Sequence, residues 1–176
     1  MKKPLLFLAL AATLAQCRPS DHEPGRPEDL LPPATQTGQR TFGCVLNGQP
    51  WTPRGSDGTA NYSVVVDPTY HGGNMSIGAY RYTGGLFQSI ILGGDSIHNV
   101  GTYSLANNSK AVIFKDLHLA SACQEIVSRL DYHRGTLVIT RYDLQAGIVS
   151  GTFEFTMVHA GCDTVRVTHG RFDYKL

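Results

Sequence analysis

Basic clusters are missing from this chain. Its 15 Lys and Arg and 14 Asp and Glu are spread thinly over 176 residues, and the formal net charge is +1. That leaves no electrostatic footprint for nucleic acid or anionic lipid. Long apolar runs are missing too: the longest, Leu5 to Leu14, holds about ten residues where a membrane-spanning helix needs roughly 20. No segment repeats at a fixed period. Histidine occurs seven times, but never as His-x-His, His-x-x-x-His or His-Glu-x-x-His, the spacings that put two metal ligands on one face. His71, His98, His118, His133, His159 and His169 read as solvated loop histidines, with Asp131-x-His133 the nearest approach to a pair. The Gly-x-Ser-x-Gly nucleophile elbow is absent. Glycine pairs at 72–73, 84–85 and 93–94 lack the strand-to-helix setting of a phosphate loop and read as turns. Composition and motifs therefore assign no catalytic residue, metal ligand or cofactor.

What is present begins at the N-terminus. Lys2 and Lys3 precede the apolar run, which exits through Ala15-Gln16-Cys17. A basic start, a short apolar core and a small-residue exit make an export signal, so residues 1–16 are expected to be a removed signal peptide. A cysteine directly behind the run predicts lipidation of Cys17 by a thioether-linked diacylglycerol and an amide-linked acyl chain such as palmitate. A single chain gives only marginal membrane binding. Gln16 stands where lipoboxes usually carry Gly, Ala or Ser, so ordinary cleavage after Ala15 is the competing reading. Residues 17–37 then read as a lipidated cysteine and an extended tether, since five prolines fall between Arg18 and Thr37 and proline supplies neither a free φ nor a donor.

Residues 38–176 read as a single β domain. Thr41 to Leu46, then Asn47-Gly48, then Gln49-Pro50-Trp51 is a hairpin signal, because both turn positions need φ > 0. Pro50 puts the second arm at an edge. Tyr62–Val66 is β-branched, Met75–Tyr80 alternates with period 2, and Leu86–Leu92 is closed by Gly93-Gly94. Short strands are expected at Gly101–Leu105 and Ala111–Phe114. Leu117–Tyr132 is ambiguous between helix and strand and is read as loop plus strand. Thr136–Tyr142 and Ile148–Val158 are strands. Val165-Arg166-Val167 and Arg171–Tyr174 are read as the two arms of a last pairing. About nine or ten short strands with regular turns indicate an antiparallel β-sandwich, with a calycin- or lipocalin-like barrel as the alternative.

With Cys17 acylated, three thiols remain, enough for one bridge. Cys44 lies within an apolar strand and reads as a buried hydrophobe, whereas Cys123 and Cys162 lie near strand ends and are the candidate disulfide. The alternative is three reduced, buried thiols. A bridge fits an exported chain.

Three stretches resemble a pattern in uncharacterised lipoproteins of the Bacteroidota. They are Thr41 to Trp51, with its Asn-Gly-x-x-Trp opening hairpin, then Gly135 to Phe155 with its Gly-Thr-Leu and Ser-Gly-Thr-Phe segments, and the ending Cys162 to Asp173. Together they bracket the domain. The resemblance implies an envelope-anchored lipoprotein, on the outer membrane, of a family with no catalytic residues to transfer.

The remaining binding signal is aromatic. Tyr70, Tyr80, Tyr82 and Tyr103 lie in Gly-rich, polar surroundings, and Tyr80-Arg81-Tyr82 puts two tyrosines on one strand face. Exposed tyrosines stack on sugars or anchor protein partners. Tyr80, Arg81 and Tyr82 are thus the candidate ligand-binding residues; the opposing reading is a face covered by neighbouring elements. The favoured function is a non-enzymatic, envelope-anchored module with a glycan or protein partner or a structural role. The alternatives are a hydrolase or glycan-processing subunit and a lipocalin-like carrier of a small apolar ligand.

Overall fold

The computed structural model describes residues 25–176 apart from Asp57, 107–108 and 129–131. The expected signal peptide, Cys17, His22 and Asp131 lie outside the described residues. Eleven strands follow one another: β1 (Thr41–Leu46), β2 (Gln49–Trp51), β3 (Tyr62–Asp67), β4 (Asn74–Thr83), β5 (Leu86–Asp95), β6 (Gly101–Ser104), β7 (Lys110–Asp116), β8 (Glu125–Val127), β9 (Tyr132–Asp143), β10 (Ile148–Val158) and β11 (Val165–Lys175). They form two antiparallel sheets, one ordered β2-β1-β11-β10-β9-β6 and the other β3-β4-β5-β7-β8. The sheets face each other as a sandwich and do not close, so the calycin-like barrel is set aside.

Period-2 alternation explains the core. On β4, Met75, Ile77 and Ala79 point inward; on β10, Val149, Phe153, Phe155 and Met157 do so, and both sets are buried. Leu92, Ile90, Leu137, Ile139, Phe172 and Trp51 complete one continuous cluster between the sheets. Each large side chain contributes about 1.5–3 kcal/mol by burial. Among the described residues this interior is filled with packed side chains. Cys44 sits in this core, and burial pushes its thiol up to about 12, with Arg81 pulling weakly the other way. Cys123 and Cys162 form the disulfide, 39 residues apart in sequence.

The turns follow their residues. Asn47 and Gly48 both take positive φ (48° and 80°), as do Gly84 and Gly85 (61° and 82°) between β4 and β5, the two-residue hairpin geometry that matches strand twist. Leu117–Tyr132 contains a 3-10 turn, Ser121–Cys123, and the short strand β8.

Three expectations change. Gly93-Gly94 is no turn: it continues β5, paired with Ser76 and Met75. There the chain runs so close that a Cβ on Gly93 would collide with the Met75 carbonyl oxygen. Val165–Val167 and Arg171–Tyr174 are not two arms but one strand, β11. Its middle bulges near His169 (φ 52°) and Gly170, where pairing with β10 shifts register. A bulge absorbs one extra residue without ending the ladder.

The tether boundary also moves. Pro27–Leu30 is a 3-10 turn, which proline tolerates at its first position because that N–H would be unbonded anyway. Leu31 is buried, and Thr35, Thr37, Gly38 and Gln39 are bound to Asp173 of β11. The folded unit therefore starts before Gly38.

Candidate functional site

Alternation decides where β4 sends its last side chains. Ala79 and Arg81 share the inward face, while Tyr80 and Tyr82 share the outward one. The Tyr80 ring stacks on Phe87 of β5, with centroids 5.5 Å apart, and its hydroxyl donates to the Thr59 carbonyl at 2.8 Å. Tyr82 lies directly opposite Phe87 across the hairpin and is 38% exposed, with Leu86 beside the turn at 39%. The 52–56 segment braces this hairpin from outside: the Arg54 N–H donates to the Tyr80 carbonyl, and the Tyr82 N–H donates to the Arg54 carbonyl. Tyr80, Tyr82 and Phe87 thus share one outward-facing aromatic patch, in which the Tyr80 ring is held by Phe87 and Thr59.

Arg81 does not join it. Its guanidinium lies 5.2 Å over the Trp51 ring and donates to the carbonyls of Thr52 and Pro50. Burial, and then the neighbouring Arg54, lower its pKa. Its place is at one end of the sandwich, as a cover for the tryptophan. The other two tyrosines lie elsewhere. Tyr70 follows β3, 52% exposed and stacked on His71 at 3.9 Å; Tyr103 belongs to the other sheet and donates to Asn99.

The inward row that starts at Arg81 continues through Gln88 and Asp116, which are paired in register across β4, β5 and β7. Trp51 Nε1–H donates to Gln88 Oε1 at 3.0 Å, and Gln88 Nε2–H donates to Asp116 Oδ2 at 2.6 Å. The other oxygen of Asp116 accepts the His118 backbone N–H and lies 2.7 Å from His118 Nδ1. A chain of polar contacts therefore runs from the core tryptophan to a half-exposed imidazole. Sequence reasoning missed this pair, although Asp116-x-His118 has the same spacing as the Asp131-x-His133 that it did weigh. A second carboxylate–imidazole contact, Asp95 with His71 at 3.1 Å, lies at the end of the same sheet where β3 leads into β4. The Asn74 amide, followed by His71, holds the Asp95 carboxyl below its usual range. Among the described residues, no three His, Cys, Asp or Glu side chains gather closely enough to hold a metal ion.

The outer face of the six-stranded sheet is polar. Two adjoining depressions of about 540 and 490 Å³ share Thr136, Glu154 and Thr168. At one end Thr156 is flanked across the ladder by Arg166 and Arg134; the other end reaches the His169–Gly170 bulge.

These observations define a disulfide-bonded, two-sheet antiparallel β-sandwich with an aromatic patch on one outer face and a shallow polar groove on the other. A family model for a domain of unknown function, DUF6252, matches residues 56–174, and the chain belongs to that family. No curated protein and no solved structure matches the chain.

Proposed function

We propose that this chain is an exported, lipid-anchored binding module of the cell envelope, held by Cys17 on the outer membrane. It docks a glycan or a protein partner on the Tyr80–Phe87–Tyr82 patch. One observation carries the docking reading: the patch faces solvent, yet Tyr80 is already fixed by its stack on Phe87 and its hydrogen bond to Thr59. Aromatic rings ordered before binding lose little entropy when a sugar or side chain settles on them. Export is supported by the Cys123–Cys162 disulfide, which persists in oxidising compartments. Among the described residues, no helix is long and apolar enough to cross a membrane, which suits attachment through an N-terminal lipid.

The docking test is the Tyr82→Ala variant on glycan and peptide arrays. Binding should fall at least tenfold with an unchanged melting temperature; equal binding by parent and variant would refute the patch. Anchoring is tested by Cys17→Ser, which should move the chain from the membrane fraction to the soluble one.

A further inference from the structure

Of the four edge strands among the described residues, three are blunted. β2 has three residues and contains Pro50, β6 has four, and β8 has three. Short strands and proline are the usual defences of a sheet edge. β3 has neither. It runs six residues, Tyr-Ser-Val-Val-Val-Asp, with its one charge at the last position, and Val65 is 62% exposed.

The direction of its free hydrogen-bonding groups is fixed by the ladder. The Tyr80 N–H donates to the Asn61 carbonyl, so the Asn61–Tyr80 pair bonds, and by alternation so do Ser63, Val65 and Asp67 with their β4 partners. Tyr62, Val64 and Val66 therefore turn their N–H and C=O groups to the open edge. Among the described residues, none of these groups is bonded. Three outward residues spaced by two are symmetric about the middle one.

We propose that β3 is a homodimer edge: two copies of this chain pair antiparallel through β3, with the two-fold axis at Val64. Tyr62 then exchanges two hydrogen bonds with Val66 of the second copy, and Val64 does so with Val64, giving six bonds in all and a continuous ten-stranded sheet. The self-pairing is argued from the side chains. In this register Ser63 faces Val65 of the second copy on the outer surface, and Asp67 faces Asn61, so no like charges meet. A neutral, self-complementary strand suits a second copy of itself, whereas a charged partner peptide would find no complement on it.

Residues 63 and 65 of opposite chains form a non-hydrogen-bonded pair, whose Cβ atoms approach to about 4.5–5.5 Å. Full-length chains carrying Ser63→Cys and Val65→Cys singly, with different tags, are co-produced, purified in detergent and oxidised mildly. The mixed 63–65 crosslink should form at least tenfold more than either like-with-like product. The parent chain, with Cys44 buried and Cys123 bonded to Cys162, supplies the blank. Sedimentation in density-matched detergent should give a dimer for the parent and a monomer for Val65→Lys, whose new side chain extends into solvent in the isolated fold. A monomeric parent, a Val65→Lys variant that dimerises as well as the parent, or like-with-like crosslinks equal to the mixed one would each overturn the pairing.

Discussion

Ser150 and Asp173 face each other across β10 and β11, and the Ser150 hydroxyl donates to the Asp173 carboxylate at 2.6 Å with both side chains fully shielded from water. The same carboxylate accepts the Thr35 hydroxyl and the backbone N–H groups of Thr37, Gly38 and Gln39 at 2.7 to 3.0 Å. One buried acid thus ties the entering segment to the last strand. Burial alone would raise its pKa, but the Gln39 N–H, the Ser150 and Thr35 hydroxyls and the Gly38 N–H outweigh that and hold it well below the usual carboxylate range.

Asp173→Asn should cost about 3 kcal/mol or more, because an amide nitrogen replaces an oxygen that faces donors and leaves some of them buried without an acceptor. The pH dependence follows from the sign of the shift. A depressed native pKa gives stability that is full above the unfolded value of about 3.9 and lost as pH falls below it. Urea unfolding at pH 7 and near pH 3 should show the gap between parent and variant narrowing in acid. A gap that stays constant would contradict this role.

The disulfide closes a long loop. Replacing Cys123 and Cys162 together by Ser should destabilise the fold by about 4 kcal/mol on the chain-entropy estimate for a loop of this length, read as a lower urea midpoint. With Cys17 acylated as proposed, thiol titration should find a single group, Cys44, and only after denaturation, since burial and a thiol pKa of about 12 suppress the reactive thiolate.

Gly93 is a steric test of the fold. Gly93→Ala puts a methyl group against the Met75 carbonyl at a positive φ of 144°, and should cost at least about 2 kcal/mol. Gly84→Asn, in the hairpin turn with open space around it, should cost less than about 1 kcal/mol, because Asn tolerates that conformation. Comparable losses at both positions would count against the described register.

Trp51 is the sole tryptophan, so its emission reports on its hydrogen bond to Gln88. Gln88→Leu removes that acceptor and also strips Asp116 of the Gln88 amide donor. A loss of about 2 kcal/mol is expected, with two buried polar groups left short of partners, along with a shift in native-state emission. Unchanged stability would show that water replaces the glutamine at both ends.

Much of the site was legible from alternation. Tyr80 and Tyr82 share a face because strand side chains repeat every two residues, and the sequence displays that period directly. Adjacency groups Arg81 with them, but the same period sends it inward, over Trp51. Its partner, Trp51, arrives from the other sheet, and no local pattern announces that. Phe87, which fixes Tyr80, was hidden for the same reason: cross-strand neighbours depend on hairpin register. The Asp116–His118 spacing stood in plain view, whereas the Gln88–Trp51 link that gives it a setting required both sheets to be in place.

The sequence by itself determined the positions of most strands, the β1–β2 and β4–β5 hairpin turns, the identity of the buried cysteine and the all-β class. These follow from residue-level physics: side-chain period, β-branching and the φ preference of Asn and Gly. Tertiary structure decided what depends on approach between distant segments. It made Gly93-Gly94 a strand, because Met75 passes too close for a side chain. It made Thr168-His169-Gly170 a bulge, because β10 and β1 hold the strand on either side. It drew the proline-rich entry onto the fold, because a buried carboxylate at position 173 needed donors that β10 alone did not supply.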